Sequence, residues 1–319
     1  MCAVFGLLDF KGKLTPADRL RIVKALGKAA EVCGTDATGI AYVQNGTIQI
    51  QKAPRPAHKM RWRISPNARY IMGHTRMATQ GSERFNFNNH PFAGKAGCLS
   101  FALAHNGVLY NDGTLRRAHK LPHTKIELDS YVAVQLLERE GNLSTRSFQR
   151  MAEALLGTFT ITVLDARENL YFVKGNNPLE ILLLPELGCY LYASTAEILN
   201  HTLRNLGIAD TTAVSVKIIP GDIMRIDRDG QRTVSRFDDS ALWYDTGFSL
   251  WPYSARSHPV QATAKDVNTD DAYWEDLKMV AAYYGYSAEM IDGLRRHGFQ
   301  PEEVEEYLYE GGGVSCGYF

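Results

Sequence analysis

The chain has 319 residues and 45% hydrophobic content, enough to bury a sizeable core, and its length fits one large domain or two. Its 35 basic residues balance 35 acidic ones, so it lacks the global field that draws nucleic acid or an anionic membrane, and the composition points to a small-molecule or protein partner. Five scattered cysteines (Cys2, Cys33, Cys98, Cys189 and Cys316) form no CxxC pair and have no histidine at zinc spacing, which implies a reducing compartment rather than a metal site.

Taken in chain order, the apolar run from Ala3 to Leu8 is cut by Asp9 and Lys11, too short for a signal peptide or membrane span, so a soluble cytoplasmic protein is expected. Residues Ala3 to Phe10 read as a buried first strand beginning directly after Cys2. Thr15 followed by Pro16 is an N-cap with proline at the first helical position, and Leu20, Ile22, Val23, Leu26 and Ala30 continue at helical spacing. From Gly39 the pattern alternates around Asn45-Gly46, a two-residue hairpin signal, with Ile48 and Ile50 on the returning strand. Further β segments are expected at Arg69 to Met77, Leu99 to Tyr110, Thr158 to Val173 around a turn at Arg167 to Asn169, Leu179 to Ala193, and Ala213 to Phe237 around Asp229-Gly230. Helical periodicity marks Leu128 to Glu138 and Ser147 to Leu156, and Ser194 with Glu197 fits a capping box that opens a third helix. Strand groups separated by helix groups imply a layered fold containing both.

Composition changes after about Asp238. Residues Ser254 to Asp270 are rich in Ser, Pro, Thr and Asn without periodicity and read as the body of a linker over 241–270. Helical patterns then run from Asp271 to Tyr284, Ser287 to His297 and Pro301 to Glu310, separated by Gly285 and Gly298. The expected organisation is a main domain over 1–240, the linker, and a small three-helix module over 271–319.

The chemistry begins at the amino terminus. Methionine ahead of a small residue is commonly removed, which would expose Cys2 with a thiol and a free α-amine on one residue. A thiol of pKa about 8.5 is mostly protonated at neutral pH, whereas an α-amine near 7.7–8.0 is partly neutral and accepts its proton. One residue then supplies nucleophile and base. A second-position cysteine taken alone is most often chance, so the rest of the chain decides.

Four further segments follow in order: Gly34-Thr35-Asp36-Ala37-Thr38-Gly39, Gly73-His74-Thr75-Arg76-Met77-Ala78-Thr79, Asn88-Asn89-His90-Pro91-Phe92 and Ala104-His105-Asn106-Gly107-Val108. With Cys2 they resemble the glutaminase domain of class II glutamine amidotransferases, the family that includes glucosamine-6-phosphate synthase and glutamine phosphoribosylpyrophosphate amidotransferase. The resemblance runs from Cys2 to roughly Phe237. It implies an α+β fold, a four-layer αββα sandwich of the N-terminal nucleophile hydrolase type, followed by the helical appendage. It also implies hydrolysis of the glutamine carboxamide, with the Asn106 side-chain amide and the Gly107 backbone N–H as the oxyanion hole, where each donor is worth roughly 3 kcal/mol of barrier.

Free glutamine carries an α-carboxylate and an α-amine, so a selective site pairs both. Arg76 offers a planar fork for the carboxylate. Asp129 resembles the family's acidic residue that binds the α-amine, although it also suits the start of a helix as a dipole-favoured acid. Thr79 and His90 match positions lining the family's glutamine pocket, and His74 and His105 read as structural. No metal or organic cofactor is implied, since the reaction is acyl transfer through a thioester with water as final acceptor.

One departure stands out. Where relatives carry Arg-Gly-x-Asp beneath the nucleophile, this chain has Cys33-Gly34-Thr35-Asp36, which removes a positive charge; Cys33 reads as a neutral buried filler. Met77 and Gln80 stand where glucosamine-6-phosphate synthase carries tryptophan and histidine. The second half contains no phosphosugar isomerase, phosphoribosyl-binding or pyrophosphatase motif. The first expectation is therefore a glutaminase whose ammonia goes to a separate synthase, with the helical tail docking that partner or holding a homo-oligomer together. Two alternatives are an acylase acting on another amide and a regulatory protein that senses glutamine without turning it over.

Overall fold

Burial along the first strand separates one layer from the next. Every residue of β1 (Ala3–Leu8) is buried, but Ala3, Phe5 and Leu7 belong to one hydrophobic cluster whereas Val4 and Leu8 belong to another. A strand covered on both faces lies inside a stack. The structure is a computed structural model that describes residues 2–78, 80–208, 213–244, 274, 277–278, 288–296, 301 and 304.

Local chemistry sets the elements that follow. Helix α1 (Pro16–Ala29) opens where the Thr15 hydroxyl accepts the Asp18 N–H at 3.1 Å. The hairpin of β2 (Ala37–Gln44) and β3 (Thr47–Ala53) turns through Asn45 and Gly46, with φ of +51° and +69°, a conformation that asparagine and glycine tolerate. The chain continues through β4 (Tyr70–Arg76), β5 (Phe92–Ala96), β6 (Leu99–Leu109), α2 (Asp112–Ala118), α3 (Tyr131–Glu140) and α4 (Thr145–Ala154). Then come β7 (Gly157–Asp165), β8 (Leu170–Lys174), β9 (Glu180–Leu184), β10 (Cys189–Ala193), α5 (Ala196–Leu206), β11 (Val214–Ser215), β12 (Asp222–Ile226), β13 (Arg232–Arg236) and the single turn α6 (Ala241–Tyr244).

The strands form two antiparallel sheets, one in the order β11-β9-β10-β1-β4-β2-β3 and the other in the order β13-β12-β8-β7-β6-β5. Between them Val4, Leu8, Tyr70 and Met72 meet Ala102, Ala104, Leu164 and Phe172. The outer face of the first sheet is covered by α1 and α5, through Ile22, Val23, Leu26, Ile198, Leu199 and Leu203. The outer face of the second is covered by α3 and α4, through Val132, Leu136, Leu137, Phe148 and Met151. The molecule is thus an α+β sandwich with the layers αββα, as the sequence led us to expect.

Four details differ from the sequence reading. The third helix is capped by Thr195, whose hydroxyl accepts the Ile198 N–H at 3.4 Å, because Ser194 is buried and bonds to Val4 instead. Helix α3 starts at Tyr131 rather than Leu128, because the Asp129 carboxylate binds the Leu109 and Ser130 N–H groups and shapes a turn ahead of the helix. The short strand β5 and the helix α2 gave no periodic signal. Both are only a few residues long, and Gly94 and Lys95 interrupt the apolar alternation of β5.

The chain divides into two compact units, residues 1–246 and 247–319. In the second, the helix α7 (Ala288–Arg296) supplies Ile291 to a small core with Trp274, Leu277 and Val304, and Lys278 pairs with Asp292 at 2.7 Å. The linker core and most of the expected first and third helices of the appendage lie outside the described residues. Among the described residues no helix is long and apolar enough to cross a membrane.

Candidate active site

Cys2 precedes a central strand, and the neighbours of that strand determine what reaches it. Ala3 lies opposite Thr75 on β4, so Cys2 sits beside the chain leaving that strand, and its thiol donates to the Met77 carbonyl at 3.6 Å. On the other side, the Ser194 N–H donates to the Val4 carbonyl at 2.9 Å, and the Ser194 hydroxyl accepts the Val4 N–H at 2.9 Å and the Asn106 side-chain amide at 3.3 Å. Ser194 therefore ties β1 in one sheet to the His-Asn-Gly segment on β6 in the other.

Gly34 shapes the floor. A Cβ there would lie 2.4 Å from the Arg76 carbonyl carbon, so only glycine lets the Arg76–Met77 main chain pass. Asp36 then fastens that segment, its N–H donating to the Arg76 carbonyl at 3.0 Å and its carboxylate accepting the Ala78 N–H at 2.7 Å. Cys33, in the 3-10 turn Ala30–Cys33, is half-buried against the α1 side of the core. Burial pushes its thiol up, which keeps it neutral.

Three of the four expected substrate-binding residues, Arg76, His90 and Asp129, line one cavity. Cys2, Arg76, Met77, Gln80, His90, His105, Gly107, Leu128, Asp129 and Ser130 line it, which brings five of the seven expected site residues together. Asn106 is buried immediately beside it, but its amide turns to Ser194 and its Oδ1 has no hydrogen-bond partner among the described residues. Thr79 lies outside the described residues. The cavity holds only about 20 Å³, room for about one water. At its wall the Arg76 guanidinium donates to Asn89 Oδ1 at 2.6 Å, the Gln80 carbonyl at 2.5 Å and the Gly81 carbonyl at 2.7 Å.

Three buried histidines back the cavity. The rings of His74 and His90 are 4.3 Å apart and those of His90 and His105 6.4 Å. His90 shares a hydrogen bond with the Ser130 hydroxyl at 3.0 Å, while its Nδ1 has no hydrogen-bond partner among the described residues. Burial holds His90 well below the usual imidazole range, and neighbouring His74 and His105 add to the effect, so it lines the cavity as a neutral ring. Burial likewise pushes the Cys2 thiol up, partly opposed by the positive charge of Arg76. At rest Cys2 is therefore a neutral thiol.

Two positions escaped the sequence reading. Lys52 donates to the carbonyls of Asn89 at 2.5 Å and Pro91 at 3.1 Å, bracketing His90 and steadying the Asn89 side chain that holds Arg76. Burial depresses its pKa to about 8. His105, read as structural, lines the cavity, and its Nε2 donates to the Thr158 carbonyl at 3.3 Å.

No family model matches the chain. The glutamine–fructose-6-phosphate aminotransferase (isomerizing) of Sulfolobus acidocaldarius is 29% identical over 219 residues, 66% of this chain and 36% of that protein. Its counterpart from Sulfurisphaera tokodaii is 28% identical over 239 residues, 72% of this chain and 39% of that protein. The match thus spans well under half of the curated relatives' length. Among solved structures, glutamine phosphoribosylpyrophosphate amidotransferase from B. subtilis has the same fold, with a TM-score of 0.57 at 20% identity over 74% of this chain and 49% of that one. Taken together, these matches relate the chain to glutamine amidotransferases by sequence, and the solved structure shares its two-sheet sandwich fold.

Proposed function

We propose that the protein hydrolyses the side-chain amide of glutamine, with Cys2 as nucleophile after removal of Met1. The observation that carries this reading is the single cavity shared by the Cys2 sulfur, Gly107, Arg76 and Asp129. The free α-amine of Cys2 takes the thiol proton as sulfur attacks the carboxamide carbon, and the resulting oxyanion is met by the Gly107 N–H. The Asn106 amide serves as the second donor once turned over about χ2. In that orientation Oδ1 accepts from the Ser194 hydroxyl and the NH2 group is released, which also relieves the orphaned buried oxygen. The C–N bond then breaks, the α-ammonium returns a proton to the leaving nitrogen as ammonia, and water releases glutamate from the thioester.

Arg76 and Asp129 would bind the α-carboxylate and α-amine, with Thr79 and His90 completing the pocket. Glutamine must compete for the Arg76 donors now held by the Gln80 and Gly81 carbonyls. The ammonia would pass to a synthase partner or domain, and the appendage would dock that partner or hold a homo-oligomer together. A glutamine-mimicking diazoketone tests the nucleophile. Mass spectrometry should find the adduct on Cys2 of a chain lacking Met1, and label confined to another cysteine would refute the assignment.

A second reading, a glutamine sensor with little turnover, is favoured by the small volume of the cavity and the neutral Cys33 in place of a cation. Glutamine would then raise the melting temperature of the unmodified protein while neither it nor Cys2→Ala releases ammonia.

A further inference from the structure

Asn177, two residues beyond the Gly175 that ends the β8 side, is held from several directions. Its carbonyl accepts from Lys174 Nζ at 2.5 Å and from the Thr160 hydroxyl at 2.7 Å, and its N–H donates to the Phe159 carbonyl at 3.4 Å. A main chain fixed this way presents its side chain at a set place. That side chain reaches back across 71 residues, and its Nδ2 donates to the Asn106 carbonyl at 2.9 Å.

The acceptor matters because the Asn106 carbonyl and the Gly107 N–H belong to one peptide unit. In a planar trans peptide the two point in opposite directions, so a donor that fixes the oxygen also aims the N–H. Asn177 lies on the β7 side of the peptide, and the opposite side is the cavity that Gly107 lines with Cys2. Hydrogen bonding at the oxygen also polarises the unit and makes its N–H a better donor.

Asn106 faces Thr160 in the β6–β7 ladder, so the strand pairing orients the peptide as well, but the local backbone is one that rotates readily. Gly107 has φ of +142°, where side chains are rarely accommodated, and a Cβ there would lie 1.9 Å from the Thr158 carbonyl oxygen. A stiffer residue is therefore excluded, and glycine alone offers little resistance to rotation of the peptide that precedes it. A rotated peptide would turn a carbonyl oxygen toward the developing oxyanion in place of a donor.

We propose that Asn177 is a positioning residue of the oxyanion hole, its carboxamide locking the Asn106–Gly107 peptide with the N–H directed at the Cys2 cavity. The inference rests on the glutaminase reading above. The test compares wild-type full-length protein with Asn177→Ala and the nearly isosteric Asn177→Asp, which keeps the volume but replaces the donor. Steady-state kinetics with glutamine should give a kcat about 10-fold lower in both variants, a fraction of the loss expected for removing an oxyanion donor outright, with KM changed less than about twofold. The γ-aldehyde of glutamate, which forms a tetrahedral adduct with the thiol, should lose inhibition by the same factor as kcat/KM. General loosening of the fold would instead change ground-state affinity and the melting temperature. If wild-type protein releases ammonia and either folded variant matches it in kcat and in aldehyde inhibition, the positioning role is wrong. Wild-type protein that neither releases ammonia nor forms the aldehyde adduct would overturn the glutaminase reading itself.

Discussion

Both oxygens of Asp129 accept main-chain N–H groups, from Leu109 at 2.6 Å and from Ser130 at 2.7 Å, so replacement by asparagine would turn an NH2 group against one of these donors. A buried donor left unpaired costs about 1–3 kcal/mol. Asp129→Asn is therefore expected to lose stability by that amount in urea denaturation, in addition to any effect on glutamine binding; an unchanged midpoint would mean the turn does not need the carboxylate. Arg76 permits a cleaner separation of roles. Its fork makes three bonds to Asn89, Gln80 and Gly81, which a lysine ammonium cannot reproduce as a planar set. Arg76→Lys should raise KM for glutamine about 10-fold or more, the loss of one charge-assisted hydrogen bond, while kcat falls less. Equal falls in kcat and kcat/KM would instead place the arginine at the transition state.

At the scale of elements, neighbouring residues before α5 do unlike work. Thr195 caps the helix, so Thr195→Ala should cost about 1 kcal/mol of stability and leave glutamine hydrolysis nearly untouched. Ser194 faces inward, where its hydroxyl accepts from Val4 and from Asn106 and so joins the two sheets near Cys2. Ser194→Ala leaves two buried donors unmatched and should lower both stability and kcat. A capping-box pattern in the sequence predicted the helix but not which residue would cap it, because the pattern encodes local spacing and the choice depends on what lies across the sheet. The same limit applies to β5 and α2, which are stable only because β6 and α3 cover them.

The whole molecule should be sensitive to acid. His74, His90 and His105 lie together in the interior, and burial holds His74 down at about 3 and the other two below their ordinary range. The unfolded chain takes up protons near pH 6.5 that the native protein refuses, so stability falls as pH drops below about 6.5 and is retained above it. For His74 the window runs from about 6.5 down to about 3. Over that window His74 costs about 1.4 kcal/mol per pH unit, or about 2 kcal/mol by pH 5. Denaturation midpoints at pH 7 and pH 5 measure the slope, and His74→Gln should reduce it by about one proton; parallel slopes for the two proteins would contradict the account. Some of this design is legible in the chain alone. The Thr15-Pro16 helix start, the Asn45-Gly46 turn and the alternating strands are local, since capping, left-handed φ and period-two burial act over a few residues. The sequence also named Cys2, Arg76, His90, Gly107 and Asp129, which line one cavity, because motif order survives without coordinates. What it could not contain are the bonds between positions 37, 71, 88 and 190 residues apart, made by Lys52, Asn177 and Ser194. Such bonds have no periodicity, and they arise only when hydrophobic burial has stacked one sheet on the other and brought a side chain within reach of a distant peptide.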